Sequence, residues 1–362
     1  MTTTVSRRDF IRATVAAAAS VAVLPTSARA ADSAPVGKLK LGYDNFAVRA
    51  MKWKGAQLID YADKLKVDSL FITDLDAFES HESAHLVELK SRARDRGVDI
   101  QLGTWSVCPS SKSFRNKWGS AEDHLALGLR MAKDLGSPVL RVVLGNGDDR
   151  KSPGGIQARM DDTVKVCKAL KTRAVDYGVK IAVENHAGDM HSRELVTLVE
   201  AAGKDFVGVN LDPGNACWTM EDPLASLENL GPYTLTSSMR DSMVWDYPDG
   251  VKVQWTAMGE GVVDWPAFFK RFRELCPQAP VHIETISGFA REFPYLKSGI
   301  WESFSSMKAS DFSRFLSLAR RGRGIDPHRS PNDIAEQEYQ RGELERSLKH
   351  CREGLGLGGR AV

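Results

Sequence analysis

Cysteine is scarce in this chain and never paired. Cys108, Cys167, Cys217, Cys276 and Cys351 are an odd set, widely scattered, with no C-x-x-C among them. Neither a zinc cluster nor a disulfide framework is indicated. One bridge stays open in an oxidising compartment, and small buried hydrophobes are the simpler reading for most of them. There are only eight histidines. No apolar run reaches the roughly 18 residues that a membrane-spanning helix needs. Charge excess is missing too: 49 Lys and Arg face 47 Asp and Glu. Residues 1–30 hold four arginines against one aspartate, so the rest of the chain carries 45 basic and 46 acidic residues. That balance argues against a nucleic-acid partner. No G-x-G-x-x-G follows the first predicted strand, so a dinucleotide fold lacks its phosphate turn.

At 362 residues, 42% hydrophobic and 27% charged, the composition is that of a globular protein with a large core, not a disordered or fibrous chain. Its first thirty residues read as a targeting segment. Ser6-Arg7-Arg8-Asp9-Phe10-Ile11-Arg12 resembles the twin-arginine export motif, an apolar stretch runs from Ala13 to Leu24, and Ala28-Arg29-Ala30 offers a cleavage site. The expectation is export to the periplasm or beyond, with no stable membrane anchor after cleavage. Residues 31–37 form a short linker.

Apolar β-type runs then recur at Leu39–Tyr43, Ser69–Thr73, Asp99–Thr104, Val139–Leu144, Lys180–Glu184, Val207–Asp212, Tyr233–Met239 and Val281–Thr285. Helical spacing separates them, as at Ala56-Leu58-Ile59-Ala62. Eight strands in alternation with helices predict an α/β fold, a (β/α)8 TIM barrel over 38–301. The remainder, 302–362, has a different texture. It holds an arginine-rich turn at 320–324 and a charged helical stretch near Asn332–Glu353. It reads as a C-terminal helical extension that packs on the barrel or on a second copy of the chain in a homo-oligomer.

In such a barrel the chemistry sits at the C-terminal strand ends. The fifth predicted strand ends in Glu184-Asn185-His186, the sixth in Asn210-Leu211-Asp212, the seventh in Ser238-Met239-Arg240-Asp241 and the eighth in His282-Ile283-Glu284. Side chains two apart on a strand share a direction, which groups Glu184 with His186, Asn210 with Asp212 and His282 with Glu284. Three carboxylates in one barrel mouth repel unless a cation or shared protons neutralise them. A divalent metal with oxygen ligands, Mg2+ or Mn2+, is the simplest resolution. The plainer alternative is that each carboxylate separately caps a helix or meets an arginine.

Val-Glu-Asn-His at 183–186, Leu-Asp-Pro-Gly-Asn at 211–215, Gly-Glu-Gly-Val-Val-Asp-Trp at 259–265 and Ile-Glu-Thr at 283–285 resemble the xylose isomerase-like TIM-barrel superfamily. That group includes sugar phosphate isomerases, ketose 3-epimerases and inosose dehydratases, and the resemblance runs from about residue 38 to 300. It implies one divalent metal on Glu184, Asp212 and Glu284, with a histidine as fourth ligand. Ser238 stands where that histidine is expected. Weak binding by three carboxylates, substitution by His282 or Gln254, and loss of the metal are the three consequences weighed.

The resemblance also implies roles for other residues. His186 would face the substrate. Arg240, where the family has lysine, would bind a substrate oxygen, with Asp241 orienting it or capping locally. Trp105, Trp218, Trp245 and Phe289 follow strands and would stack on a sugar ring or pack the rim. Glu184 and Glu284 would act as opposed acid/base residues as well as ligands. The implied activity is an exported isomerase or epimerase that abstracts a proton beside a carbonyl of a sugar or keto-sugar. A lyase or dehydratase acting on 3-keto-sugars or 3-keto-glycosides, and a non-catalytic sugar-binding homologue without metal, are the alternatives.

Overall fold

The computed structural model describes residues 38–360. The targeting segment read at 1–30 and the linker at 31–37 lie outside the described residues. Seven of the apolar runs form β1 (Leu41–Asp44), β2 (Ser69–Ile72), β3 (Asp99–Ser106), β4 (Val139–Val143), β5 (Lys180–Glu184), β6 (Val207–Leu211) and β7 (Thr234–Met239). The chain then folds back on itself as an antiparallel pair, β8 (Asp241–Tyr247) and β9 (Gly250–Thr256), before β10 (Val281–Ile283) supplies the eighth barrel strand. β1 to β7 and β10 close into one parallel barrel, with β10 paired to both β7 and β1. The strands are largely buried on both faces, as parallel strands under a helical ring require.

The antiparallel sheet was not foreseen. β8 follows β7 after Arg240 alone, and a two-residue turn joins it to β9. β11 (Ala290–Phe293) adds to the free side of β9, with Arg291 opposite Val253. The sheet has its own apolar cluster. Met243, Val244, Val251, Val253 and Phe293 pack on Phe315 and Leu318 of the helix Ala309–Ala319. This insertion stands over the barrel's C-terminal end, because both of its connections leave from strand ends there.

Helix boundaries follow local chemistry. The helix Ala121–Leu135 opens with Ser120 and Asp123 exchanging cap bonds and stops at Gly136, whose φ of 76° is left-handed. The charged stretch near the C-terminus is one helix, Asp333–Leu355, capped by the Asn332 side chain on the Ala335 N–H. Leu344, Leu348 and Cys351 share its buried face, and each leucine contributes roughly 1.5–3 kcal/mol by burial. The helix packs on the barrel itself: Glu345 accepts from Tyr61 Oη at 3.1 Å, and Arg273 Nη2 donates to the Leu355 carbonyl at 2.9 Å. It thereby fills the ring between the helices Gly55–Lys64 and Trp265–Leu275. All five cysteines are buried free thiols.

Candidate active site

Strand ends deliver the three carboxylates to one place. Glu184 is the last residue of β5. Asp212 follows β6 and caps the short helix Pro213–Cys217, accepting from the Asn215 N–H at 3.0 Å. Glu284 follows β10 and is fixed by its backbone N–H on the Met239 carbonyl, 2.9 Å away. One carboxylate oxygen from each lies within 4.8 Å of the others. The register explains the convergence: Glu184 pairs with Asn210 across β5 and β6, and Ile283 with Met239 across β10 and β7.

Two buried arginines share the same space. Arg141, from the middle of β4, donates Nε to Glu184 Oε2 at 2.5 Å and Nη1 to the Thr104 carbonyl at 3.0 Å. Arg240, between β7 and β8, bridges Asp212 and Glu284 through Nη2, at 2.6 Å from Glu284. Asn210 and Asn215 complete the support. They donate to Glu184 Oε2 at 2.7 Å and Oε1 at 3.1 Å, and Asn215 also reaches Asp212 Oδ2 at 2.7 Å. A fourth carboxyl, Asp44 at the end of β1, accepts from Phe46 N and Thr73 Oγ1, both at 2.8 Å.

These pairings set the protonation pattern. Burial works to raise the Glu184 carboxyl, but Arg141, with Arg240 behind it, holds it below the usual glutamate value. Burial outweighs Arg240 at Asp212, which is pushed up to about 7 with Glu184 and Glu284 adding repulsion. Burial raises Glu284 as well, against the pull of Arg240, and raises Asp44, to which the Glu284 charge adds. Four carboxyls against two guanidiniums leave an excess of acid, and it is spread over these three groups.

That excess bears on the metal. Three carboxylate oxygens within reach of one another are hard ligands for a divalent cation. Asp44 Oδ2, Asn210 Oδ1 and Asn215 Oδ1 are also buried acceptors without a partner among the described residues. The donor set therefore fits one divalent ion on Glu184, Asp212 and Glu284. Ser238 stays out of the group; its Oγ accepts from Asn210 Nδ2 at 3.2 Å.

Above the carboxylates lies a cavity of about 400 Å3. Glu284, His186, Arg141 and Arg240 face it, walled by Phe46, Trp105, Trp218, Trp255 and Phe289. His186 is held by its Nδ1–H on the Gly145 carbonyl, 2.6 Å away, and by its own N–H on Asp189 Oδ1. A carbonyl only accepts, so Nδ1 carries the proton and Nε2 is left as a base. Burial lowers the imidazole pKa, against the pull of Glu184, which keeps the ring neutral.

Other predicted residues fall elsewhere. Glu184 lies beneath the cavity floor and does not line it, because Arg141 and the two asparagines enclose both its oxygens. His282 points into the barrel below Glu284. Ser69 Oγ, at 2.8 Å, and the Ser237 carbonyl, at 3.1 Å, occupy its nitrogens, and burial drives its pKa down to about 3. Gln254 is on β9, with Nε2 directed at the Asp326 carbonyl. Neither His282 nor Gln254 reaches the carboxylates, so neither supplies the missing ligand. Asp241 does not orient Arg240. It accepts from Trp265 Nε1 at 2.7 Å and from the N–H groups of Ser242, Gly259, Gly261 and Val263, and so ties down the Gly-Glu-Gly turn.

Sequence reasoning missed Arg141, Asp44, Trp255 and Arg291. Arg141 carried a signal, a lone charge amid the apolar Val139–Val143, and Asp44 ends a strand just as Glu184 does. Trp255 and Arg291 sit on the unforeseen sheet. Trp255 stacks on Trp218 at 3.9 Å between centroids, and Arg240 lies 4.4 Å over its ring.

A barrel with acid-bearing ends on β5, β6 and β10 defines a class, and comparison with known sequences agrees. The chain belongs to the xylose isomerase-like TIM barrel family, whose profile matches residues 47–298. Among curated proteins it is similar to a 3-oxo-isoapionate decarboxylase of Pectobacterium atrosepticum, 22% identical over 56% of this chain and 66% of that protein. A crystal structure of D-psicose 3-epimerase with D-fructose superposes with a TM-score of 0.58 at 16% identity, covering 89% of this chain and 100% of that one. The 3-keto-D-glucoside 4-epimerase of E. coli gives 0.53 at 13% identity, covering 74% and 98%. Likeness at these identities speaks to the fold alone.

Proposed function

We propose that the cavity catalyses proton transfer at a carbon beside a carbonyl of a sugar or keto-sugar, an isomerase or epimerase reaction through an enediolate. One observation carries the reading. Glu284, a neutral His186 with a free ring nitrogen and the guanidiniums of Arg141 and Arg240 face the same aromatic-walled cavity, which Asp148 and Arg291 also line. The sequence-based expectation made Glu184 and Glu284 the acid/base pair. His186 lines the cavity and Glu184 does not, which favours Glu284 and His186 as the pair. Either can take the proton, and a return from the other face inverts the centre. Arg240 keeps Nε unpartnered after bridging its two carboxylates and, with Arg141, holds charge near the developing oxyanion. A Mg2+ or Mn2+ ion on Glu184, Asp212 and Glu284 would supply Lewis-acid polarisation of the carbonyl. The tryptophans bind the apolar sugar face and exclude water.

Solvent exchange tests this directly. Keto-sugars and 3-keto-glycosides incubated with the protein in D2O should gain deuterium beside the carbonyl, and Glu284→Gln should slow the gain by about 10²–10⁴-fold. Binding of a sugar with no exchange and no product in any of them would instead favour a sugar-binding homologue. A lyase is the second reading, favoured by the similarity to the decarboxylase. There the bond to a carboxyl group breaks, CO2 leaves, its electron pair enters the neighbouring carbonyl as an enediolate, and Glu284 or His186 protonates the carbon. CO2 release separates the two. Export rests on the sequence of residues 6–30 alone, and cell fractionation of the full chain beside Arg7→Lys/Arg8→Lys tests it.

A further inference from the structure

The cavity holds one cation that the chemistry above does not use. Arg291, on β11, lines the cavity with Arg141 and Arg240, but those two are bound to carboxylates. Arg291 has no ion pair among the described residues. Its Nη1 reaches only the Ala187 carbonyl, at 3.3 Å, and its guanidinium lies 5.3 Å from the Trp218 ring centroid. Asp148 and Arg150 influence it from a distance with opposite sign, and burial is the larger effect, drawing its pKa down.

The surroundings are shaped for this side chain. A Cβ on Gly147 would run into Arg291 Nη2, and one on Gly188 would lie 2.9 Å from Nη1. Between them Ala187 adopts φ 43°, a left-handed conformation costly for alanine. Its carbonyl accepts from both Arg291 and the Gly147 N–H. A second donor waits nearby: Trp218 lines the same cavity and keeps its buried Nε1–H without an acceptor. A half-buried cation with no ion pair and a buried N–H with no acceptor call for an acceptor carrying negative charge.

We propose that Arg291 binds a carboxylate carried by the substrate, so that the sugars this site takes are sugar acids. The inference rests on the reading of this cavity as the sugar site and names the class within it. One guanidinium and one indole N–H suit a planar group with one charge and two oxygens. A phosphate ester brings a second charge for which no free cation remains in the cavity, with Asp148 at its edge. The carboxylate would lie on the side of the cavity that Arg291 and the inserted sheet supply, which fixes which carbon faces the acid/base pair.

The test titrates the purified protein calorimetrically with D-glucuronate, D-glucose and D-glucose 6-phosphate, in wild type, Arg291→Gln and Arg291→Lys. Wild type should bind glucuronate at least about tenfold more tightly than glucose. Arg291→Gln should erase that preference while glucose binding stays, and Arg291→Lys should restore part of it. Equal binding of glucose and glucuronate overturns the proposal and leaves the enediolate reading standing. Tighter binding of the phosphate than of glucuronate overturns the carboxylate assignment. Failure of all three to bind overturns the proposal, and D2O exchange on keto-sugars in the same preparations decides separately whether the cavity is a sugar site.

Discussion

Replacing Arg141 by methionine removes the counter-charge of a carboxylate with no access to water. Both members of the pair are almost wholly buried, with 3% and 0% of their side chains exposed. The substitution also orphans the Thr104 carbonyl. Deleting one partner of a buried pair costs about 3–5 kcal/mol. At about 2.1 cal/mol/K per residue over roughly 320 residues, that lowers Tm by about 4–7 °C. The pH dependence has a definite sign. In the wild type Arg141 outdoes burial and holds Glu184 below its ordinary pKa, so its contribution exists above the unfolded pKa and fades as pH falls. In Arg141→Met burial has lost its largest opponent, with Arg240 alone left to pull against it, and the folded pKa rises, so the penalty is small in acid and grows as pH rises through neutrality. Scanning calorimetry of both proteins at pH 5 and pH 8 checks this, with Arg141→Met/Glu184→Gln as the companion that removes both charges and recovers much of the loss. A Tm deficit under about 1 °C, or one equal at the two pH values, would refute the account of Glu184 as a carboxylate held ionised by Arg141.

Other outcomes follow from the same geometry. Elemental analysis of protein purified without chelator or nickel should find a divalent ion that Glu184→Gln loses, and calorimetric titration with Mn2+ should show tighter binding in Ser238→His. Glu221 is buried and raised to about 8, chiefly by burial, while Ser192 stabilises its charge. Its raised folded pKa contributes stability below the ordinary glutamate value that is lost as pH climbs toward 8. Glu221→Gln should remove that slope of about 1.4 kcal/mol per pH unit, read from urea melts at pH 5, 6.5 and 8. Gly322→Ala should cost a few °C in Tm, because a Cβ there drives into the Val244 carbonyl and pries the helix Ala309–Ala319 from the inserted sheet.

The barrel was legible because its signal is redundant. Each of eight strands is a separate apolar run, and Glu184, Asp212 and Glu284 fall at matched ends whichever way individual boundaries shift by a residue. The inserted sheet was not, although Val251, Val253 and Trp255 alternate as a strand should. Its strands occupy positions where a barrel calls for a loop, and its third member is contributed from beyond β10. Side chains meeting by such long-range pairing, Arg291 and Trp255 among them, leave no local pattern to read.

The charge balance of the site shows the same boundary between local and tertiary information. From strand ends alone, three carboxylates demanded a cation, and a metal was the simplest one. Arg240, named as a substrate ligand, turns out to bridge two of the three, and Arg141, hidden inside an apolar strand, holds the third. Permanent cations thus carry part of the compensation that a histidine-ligated metal would otherwise dominate. With Asp44 included the acids still outnumber the guanidiniums by two, which is the charge of one divalent ion. With Ser238 outside the group, a metal bound here would be held by carboxylates without an imidazole, in a site whose net charge still favours a cation. Asp44, Asp212 and Glu284 are buried with their pKa values raised together, chiefly by burial and at each also by a neighbouring carboxylate.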